Sequence, residues 1–201
     1  MIRLTNLADE ELKTIGRRIG RAFYDEGEGL FTRIGREDAI TGLEIMTECY
    51  YRLGVLYTTS EQQEGYLAYW RKGEAKEWGI KMMRVSLHMA WRFLREIPFG
   101  SLKKLLPLMS NPYEKIYQKE PDYVVISMAA VRREFQGQGY LRVLLREPFY
   151  IAHERKIPCV LDTDTELKVK KYASCGMKKT AETPIKNGGT MYTMERDYRD
   201  E

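Results

Sequence analysis

The sequence predicts a mixed α/β fold, and three observations support this prediction. Several stretches repeat apolar residues with a helical period, short runs rich in β-branched and aromatic residues alternate with them, and one such run leads through a glycine-containing turn into a helix. The chain has 201 residues, of which 43% are hydrophobic and 31% charged, as is typical of a globular protein. This length suits one substantial core, so we expect a single domain over residues 1–201.

Residues 1–120 are predicted to be mainly helical, with one hairpin. Residues 7–24 show the spacing of an amphipathic helix, and Thr5 or Asn6 is in position to cap it. The further elements predicted here are a helix at 36–52, strands at 53–59 and 65–70 around a polar turn, and helices at 76–117 interrupted near 98–100. The last stretch is rich in methionine and aromatic residues, which favours core packing; the alternative is an adaptable lining for an acceptor pocket.

Residues 121–201 show alternating strand and helix patterns. Residues 123–131 form an unbroken apolar run with β-branched residues, as expected of a buried central strand. The elements predicted after it are a helix spanning 141–152, a strand at 157–161, a helix at 166–174, and strands at 177–183 and 190–195 around a turn at Gly188 and Gly189. Pro148 lies inside the first of these helices and is expected to kink or break it.

The composition argues against several classes of protein. A net charge of +4 is too small for the dense basic face of a nucleic-acid binder. No apolar run approaches the roughly 20 residues that span a bilayer, and the first residues lack a signal-peptide pattern. Cys49, Cys159 and Cys175 are widely spaced, which argues against disulfides and zinc. We therefore expect a cytoplasmic protein with no metal, no nucleic-acid partner and no membrane partner.

A glycine-containing turn stands between the predicted central strand and the helix that follows it. Its residues are Gln136, Gly137, Gln138, Gly139, Tyr140 and Leu141. Two glycines permit a tight turn with positive φ, and the first turn of a helix presents N–H groups that lack intrahelical partners. Such a turn binds a pyrophosphate through its backbone; the alternative is a tight connection and nothing more. Neither the dinucleotide fingerprint nor the Walker pattern is present, so the spacing alone indicates no more than an anion site.

The residues around this turn resemble the signature of the GNAT N-acetyltransferase family. The family motif is a strand ending in valine, here Val131, then a spacer and Gln/Arg-x-x-Gly-x-Gly/Ala, to which residues 136–141 are similar. Residues 171–177 resemble the second marker, Leu-Tyr-x-x-x-Gly-Phe, and the two markers together span about residues 123–183. The departures from the family pattern are Arg133 for proline, Leu141 for glycine or alanine, Thr165 for asparagine and Lys171 for leucine.

The resemblance implies a particular fold and a site for acetyl-CoA. The fold is a central, mixed but mostly antiparallel twisted sheet, splayed at the cofactor strand, with helices on both faces. Residues 121–201 are expected to bind the cofactor, and the helices of residues 1–120 to form the acceptor site. The pantetheine arm is expected at the backbone of Ala129 and Val131, and the pyrophosphate at the amides of residues 136–141. Tyr172 is expected to protonate the leaving thiolate. Apart from the resemblance, Lys168, Lys170 or Lys171 could reach the 3′-phosphate.

The resemblance also implies the reaction, which is transfer of an acetyl group to a primary amine of a small molecule or peptide. A phenol can donate a proton to a thiolate as it forms, and the amine must be neutral to attack. The sequence leaves open which carboxylate takes the amine proton; the candidates are Glu61, Glu64, Glu120, Asp122 and Asp162. Two alternatives are a non-catalytic acyl-CoA sensor or interaction module and transfer of a longer acyl or an aminoacyl group. A homodimer is left open.

Overall fold

The computed structural model of the chain describes residues 1–25, 27, 29–109, 111–185 and 188–199. Within these ranges the helices are α1 Asp9–Tyr24, α2 Arg36–Leu53, α3 Lys72–Ala75, α4 Gly79–Glu96, α5 Phe99–Leu105, α6 Pro112–Ile116, α7 Tyr140–Arg155 and α8 Glu166–Ala173. The strands are β1 Ile2–Arg3, β2 Leu56–Thr58, β3 Gly65–Arg71, β4 Val124–Val131, β5 Cys159–Thr163, β6 Lys178–Pro184 and β7 Thr190–Arg196.

The described strands form one sheet in the order β1-β2-β3-β4-β5-β7-β6. Neighbouring strands run antiparallel except β4 and β5, which are parallel. These two central strands pair only where Val124 meets Cys159 and Val125 meets Val160, although β4 continues to Val131. Beyond Val125 they separate, which confirms the mixed, mostly antiparallel sheet splayed at the cofactor strand.

A bulge in β4, which the sequence analysis did not predict, lies where the separation begins. Ala68 of β3 is opposite Met128, but the next residue, Tyr69, is opposite Ile126, so Ser127 is an extra residue. A bulge bends its strand and changes the face to which the following side chains point. Ile126 accordingly packs with the core of one face of the sheet and Met128 with the core of the other.

Helices cover both faces of the sheet, as predicted. On one face Ile15 and Ile19 of α1 pack with Tyr66 of β3, and α2 and α4 extend this layer. On the opposite face Leu144 of α7 and Val169 of α8 belong to the second large core cluster. Full burial of each aliphatic side chain contributes about 1.5–3 kcal/mol, so these two layers fix the sheet between them.

Most predicted elements are present, but the predicted start of the first helix and of the first hairpin strand is wrong. The residue that caps α1 is Ala8, and no side chain caps this helix end. The segment before α1 is bonded to α2 instead, because the N–H of Leu7 donates to the Tyr51 hydroxyl at 2.9 Å. The strand predicted from residue 53 begins at Leu56, since α2 continues to Leu53 and ends at Gly54 in the left-handed conformation with φ 82°.

Of the kink or break predicted at Pro148, the break does not occur. Pro148 is buried within α7, which continues from Tyr140 to Arg155. Proline removes one hydrogen bond from a helix, but Leu144, Leu145 and Ala152 are buried against the sheet on either side of it. Tertiary packing therefore holds the helix across the proline.

Candidate active site

The glycine turn between β4 and α7 is exposed and tightly bent. Gly137 and Gly139 have φ values of 77° and 85°, in the region that disfavours residues with a Cβ. Apart from the adjoining residues of the chain, no described atom lies within 4 Å of the position that a Cβ would occupy at either glycine. Gly139 is the residue that caps the start of α7. The bend thus leaves open space beside the first turn of a 16-residue helix.

The backbone of this turn presents several N–H groups. The amide of Gln136 donates to the carbonyl of Arg133 at 3.3 Å, and intrahelical bonding resumes at Arg142. For the five amides of residues 137–141, the described part of the chain contains no acceptor. The side chains of Gln136 and Gln138 fold back instead, donating to the carbonyls of Val131 at 3.1 Å and Glu134 at 2.9 Å. The two glutamines therefore brace the turn, and its amides face outward.

The separated edge of β4 presents further backbone groups. The N–H of Arg132 donates to the carbonyl of Glu64, beside β3, at 2.9 Å. Because backbone groups alternate between the two edges of a strand, those of Ala129 and Val131 point to the opposite edge. None of the described strands covers that edge after Val125. It can accept an extended ligand as an added strand would be accepted.

One cavity of about 830 Å³ joins the turn, the gap between β4 and β5, and the helices on the far face of the sheet. Tyr172 lines it, as do the predicted site residues Ala129, Val131, Gln136, Gly137, Gly139, Tyr140 and Leu141. Of the predicted set only Gln138 is outside the lining. The structure thus brings Tyr172, from α8, to the same cavity as the turn and the open edge of β4.

Asp162 is the one residue of the five candidate carboxylates that lines this cavity. Its two oxygens accept hydrogen bonds from the Thr193 hydroxyl at 2.6 Å and the Tyr113 N–H at 3.1 Å. Burial raises the pKa of this carboxyl to about 6, against the lowering effect of the two hydrogen bonds. The Asp162 carboxylate is therefore a base whose pKa lies close to neutral pH.

The other four candidate carboxylates lie away from the cavity. Asp122 pairs with Arg71 at 2.9 Å, and Glu64 accepts hydrogen bonds from Thr59 and Ser60 within its hairpin. Both hydrogen-bonded carboxylates hold local structure. Glu61 and Glu120 are exposed.

A buried ion pair that the sequence analysis missed also lines the cavity. Asp164 contacts the ammonium of Lys168 at 2.7 Å and accepts the N–H of Leu30 at 2.7 Å. The spacing of four residues is the signal that could have indicated this pair. Thr165, which replaces the asparagine of the family pattern, caps α8 by accepting the N–H of Lys168 at 3.1 Å. This departure has a structural role.

Over the described ranges, none of the helices combines the length and the hydropathy of a membrane span. Those ranges bring no three His, Cys, Asp or Glu side chains into an arrangement that could hold a metal ion.

Comparisons with known proteins give matches at the level of structure. No protein-family model and no curated protein matches the sequence. The polyamine N-acetyltransferase of Drosophila melanogaster superposes with a TM-score of 0.58 at 10% identity, covering 96% of this chain and 97% of that one. An N-acetyltransferase from Staphylococcus aureus Mu50 gives 0.55 at 14% identity, with 97% and 99% covered.

A third structure gives the same result over nearly the whole chain. Arylalkylamine N-acetyltransferase 2 from Aedes aegypti superposes with a TM-score of 0.54 at 13% identity, covering 97% of this chain and 98% of that one. Identities this low carry information about the fold alone. Together with the splayed sheet and the turn after Val131, the three superpositions show that this chain has the fold of the GNAT N-acetyltransferases.

Proposed function

We propose that the protein is an acyltransferase that moves an acetyl group from acetyl-CoA to a primary amine of a small molecule or peptide. The observation that carries this proposal is the convergence on one cavity of outward-facing amides, an uncovered strand edge and Tyr172. The names of the structurally similar proteins, all N-acetyltransferases, support it.

In this proposal the cosubstrate is bound mainly by backbone. The amides of residues 137–141 take the diphosphate, helped by the positive end of the α7 dipole, and Gln136 contributes by bracing the turn. The backbone of Ala129 and Val131 takes the pantetheine arm along the edge of β4. Leu141 is half-buried in the cavity wall, where the family pattern has glycine or alanine. Its side chain narrows the approach to the phosphates.

The chemical roles fall to Tyr172 and Asp162. The amine nitrogen forms a bond to the thioester carbonyl carbon, and the carbon–sulfur bond breaks. The Tyr172 hydroxyl gives its proton to the leaving sulfur, and the second proton, which the acylated nitrogen loses, returns to the tyrosine through solvent. An alkylammonium must first lose a proton, which Asp162 accepts directly or through one water and returns to solvent. The products are the N-acetyl amine, free thiol and one proton.

Two measurements test the proposal. Saturable binding of acetyl-CoA should raise the melting temperature, and free thiol should appear when an amine is added. Tyr172→Phe should lower turnover far more than acetyl-CoA affinity. Binding without thiol release across a broad amine panel, unchanged by this substitution, would instead establish the alternative of a non-catalytic acyl-CoA sensor. Absence of binding at millimolar acetyl-CoA rejects both functions.

Acetyl transfer is distinguished from transfer of a longer acyl group by comparing thiol release from acetyl-CoA and longer thioesters. A homodimer is tested by light scattering, a single domain over residues 1–201 by one cooperative unfolding transition, and a cytoplasmic location by cell fractionation.

A further inference from the structure

The acceptor end of the cavity carries an inference about substrate class, which rests on the proposed function. This end, which we call the chamber, is the part of the cavity lined by residues from 22 to 113. It lies on the face of the sheet covered by α1, α2 and α4. The glycine turn instead leads into α7, on the other face. A ligand that extends from the turn into the chamber therefore passes through the gap between β4 and β5.

The chamber wall is apolar and aromatic. Its aromatic members include Phe23, Phe31, Trp70 and Trp78. Much of the remaining wall is formed by four methionines, Met46, Met82, Met89 and Met109. Among the described residues of this wall none is charged, and its polar groups include the Ser86 hydroxyl, the Asn111 amide, the phenol hydroxyls of Tyr50 and Tyr113 and the Cys49 thiol. Such a wall stabilises a ligand by apolar burial, and the flexible methionines adapt to its shape.

Negative charge near the chamber is limited to two carboxylates in the described lining, Asp162 and Asp164. The charge of Asp164 is already neutralised by Lys168 at 2.7 Å, and its other oxygen accepts the N–H of Leu30. Asp162 has two neutral donors and no ion-pair partner in the described structure. Positive charge is supplied to the same cavity by Arg142 and Lys171. The site thus offers one carboxylate to one cation.

We infer that the acceptor is an apolar monoamine, a single primary amine on an aryl or alkyl body, with Asp162 as the group that binds the amine. A second ammonium inside the chamber would be buried without a counter-charge, which is strongly unfavourable. Polyamines and aminoglycosides are therefore poor acceptors. A peptide would bring several amide groups against a wall with few described polar partners, so small molecules are preferred over peptides.

The sharpest test compares hexylamine with 1,6-diaminohexane, which have the same chain length and differ by one ammonium. Thiol release from acetyl-CoA should give a kcat/KM at least thirtyfold higher for hexylamine, and 2-phenylethylamine should exceed spermidine by a similar factor or more. An equal or higher value for the diamine or for spermidine overturns the inference and leaves the proposed acetyl transfer intact.

A second arm separates failure of the inference from failure of the proposed function. If no amine releases thiol, acetyl transfer fails. The inference about the acceptor is then tested by the melting temperature of the protein in the presence of coenzyme A and either hexylamine or 1,6-diaminohexane. A rise with hexylamine alone supports an apolar monoamine site. A rise with the diamine alone, an equal rise with both, or no rise with either overturns it.

The chamber wall is tested by a matched pair of tryptophan variants. Trp78 lines the chamber, whereas Trp91 of α4 is 52% exposed and lies outside the lining. Trp78→Ala should lower kcat/KM for 2-phenylethylamine at least tenfold, and Trp91→Ala should change it less than twofold. Thermal unfolding of both variants identifies a loss caused by misfolding, and in that case the wild-type amine comparison decides alone. Equal effects of two folded variants contradict the assignment of the wall.

Discussion

The two ends of the cavity are built in opposite ways. At the turn end, one continuous segment, residues 136–141, offers backbone amides at an exposed corner. At the chamber end, side chains come from α1, α2, β3, α4, α6 and the segments beside them, and most of the wall is half-buried or buried. A backbone site depends on local conformation, whereas a side-chain site depends on how distant elements pack.

Tyr172→Phe should have the largest effect. Loss of the hydroxyl removes the proton donor for the leaving thiolate, so kcat should fall about 100-fold or more. The dissociation constant for acetyl-CoA, which depends on backbone groups, should change less than about threefold. Steady-state thiol release and a binding titration measure the two quantities. Tyr150→Phe is the matched control, because Tyr150 is 63% exposed on α7 and outside the cavity wall. Equal losses in both variants would remove Tyr172 from the mechanism.

Asp162→Asn should come next, with a fall in kcat/KM of about 10- to 100-fold at neutral pH. Because burial raises the Asp162 pKa to about 6, activity of the wild type should decline as pH falls through 6. The variant has no carboxyl to titrate there, so this acidic limb should disappear from its pH profile. If the acidic limb lies at the same pH in the wild type and the variant, the titrating group is not Asp162.

The same substitution has an opposite consequence for stability. The Asp162 pKa is near 4 in an unfolded chain and about 6 in the folded protein, so the folded state binds more protons between these values. The contribution of Asp162 to the free energy of unfolding of the wild type therefore decreases as the pH rises from 4 to 6. Relative to wild type, Asp162→Asn should gain up to about 3 kcal/mol in unfolding free energy between pH 4 and 7. Denaturant unfolding at both pH values measures it; a relative loss contradicts the raised pKa.

The contrast also explains what the sequence analysis found and missed. The turn was predicted correctly because glycines at positive φ and the start of a helix leave local signals around Gly137 and Gly139. The bulge at Ser127 left no such signal, since its cause is the register between β3 and β4. Asp162 was one of five equal candidates until packing placed Tyr113 and Thr193 beside it. Sequence periodicity reports which face of an element is buried, but not which elements meet.

Gly139→Ala should weaken acetyl-CoA binding by about tenfold. A Cβ at φ 85° costs about 1–2 kcal/mol, and the turn relaxes from the geometry that aims its amides. Gly54→Ala is the matched control, because Gly54 also caps a helix end at φ 82° but lies outside the cavity wall. Both variants should lose similar stability in thermal unfolding, and only Gly139→Ala should lose affinity. If Gly54→Ala weakens binding equally, the loss reports general destabilisation and the turn is not the phosphate site.

Lys171→Met should have the smallest effect, about threefold in acetyl-CoA affinity, since exposed ion pairs contribute less than about 1 kcal/mol. Three lysines of α8 were candidates for the 3′-phosphate, but Lys168 is paired with Asp164 and Lys170 lies outside the cavity wall. Lys171 lines the cavity and is half-buried. The loss should vanish when binding is measured with an analogue that lacks the 3′-phosphate, and Lys170→Met should show none with either ligand. A loss that persists with the analogue means that Lys171 acts on another part of the ligand, and the 3′-phosphate is then held outside α8.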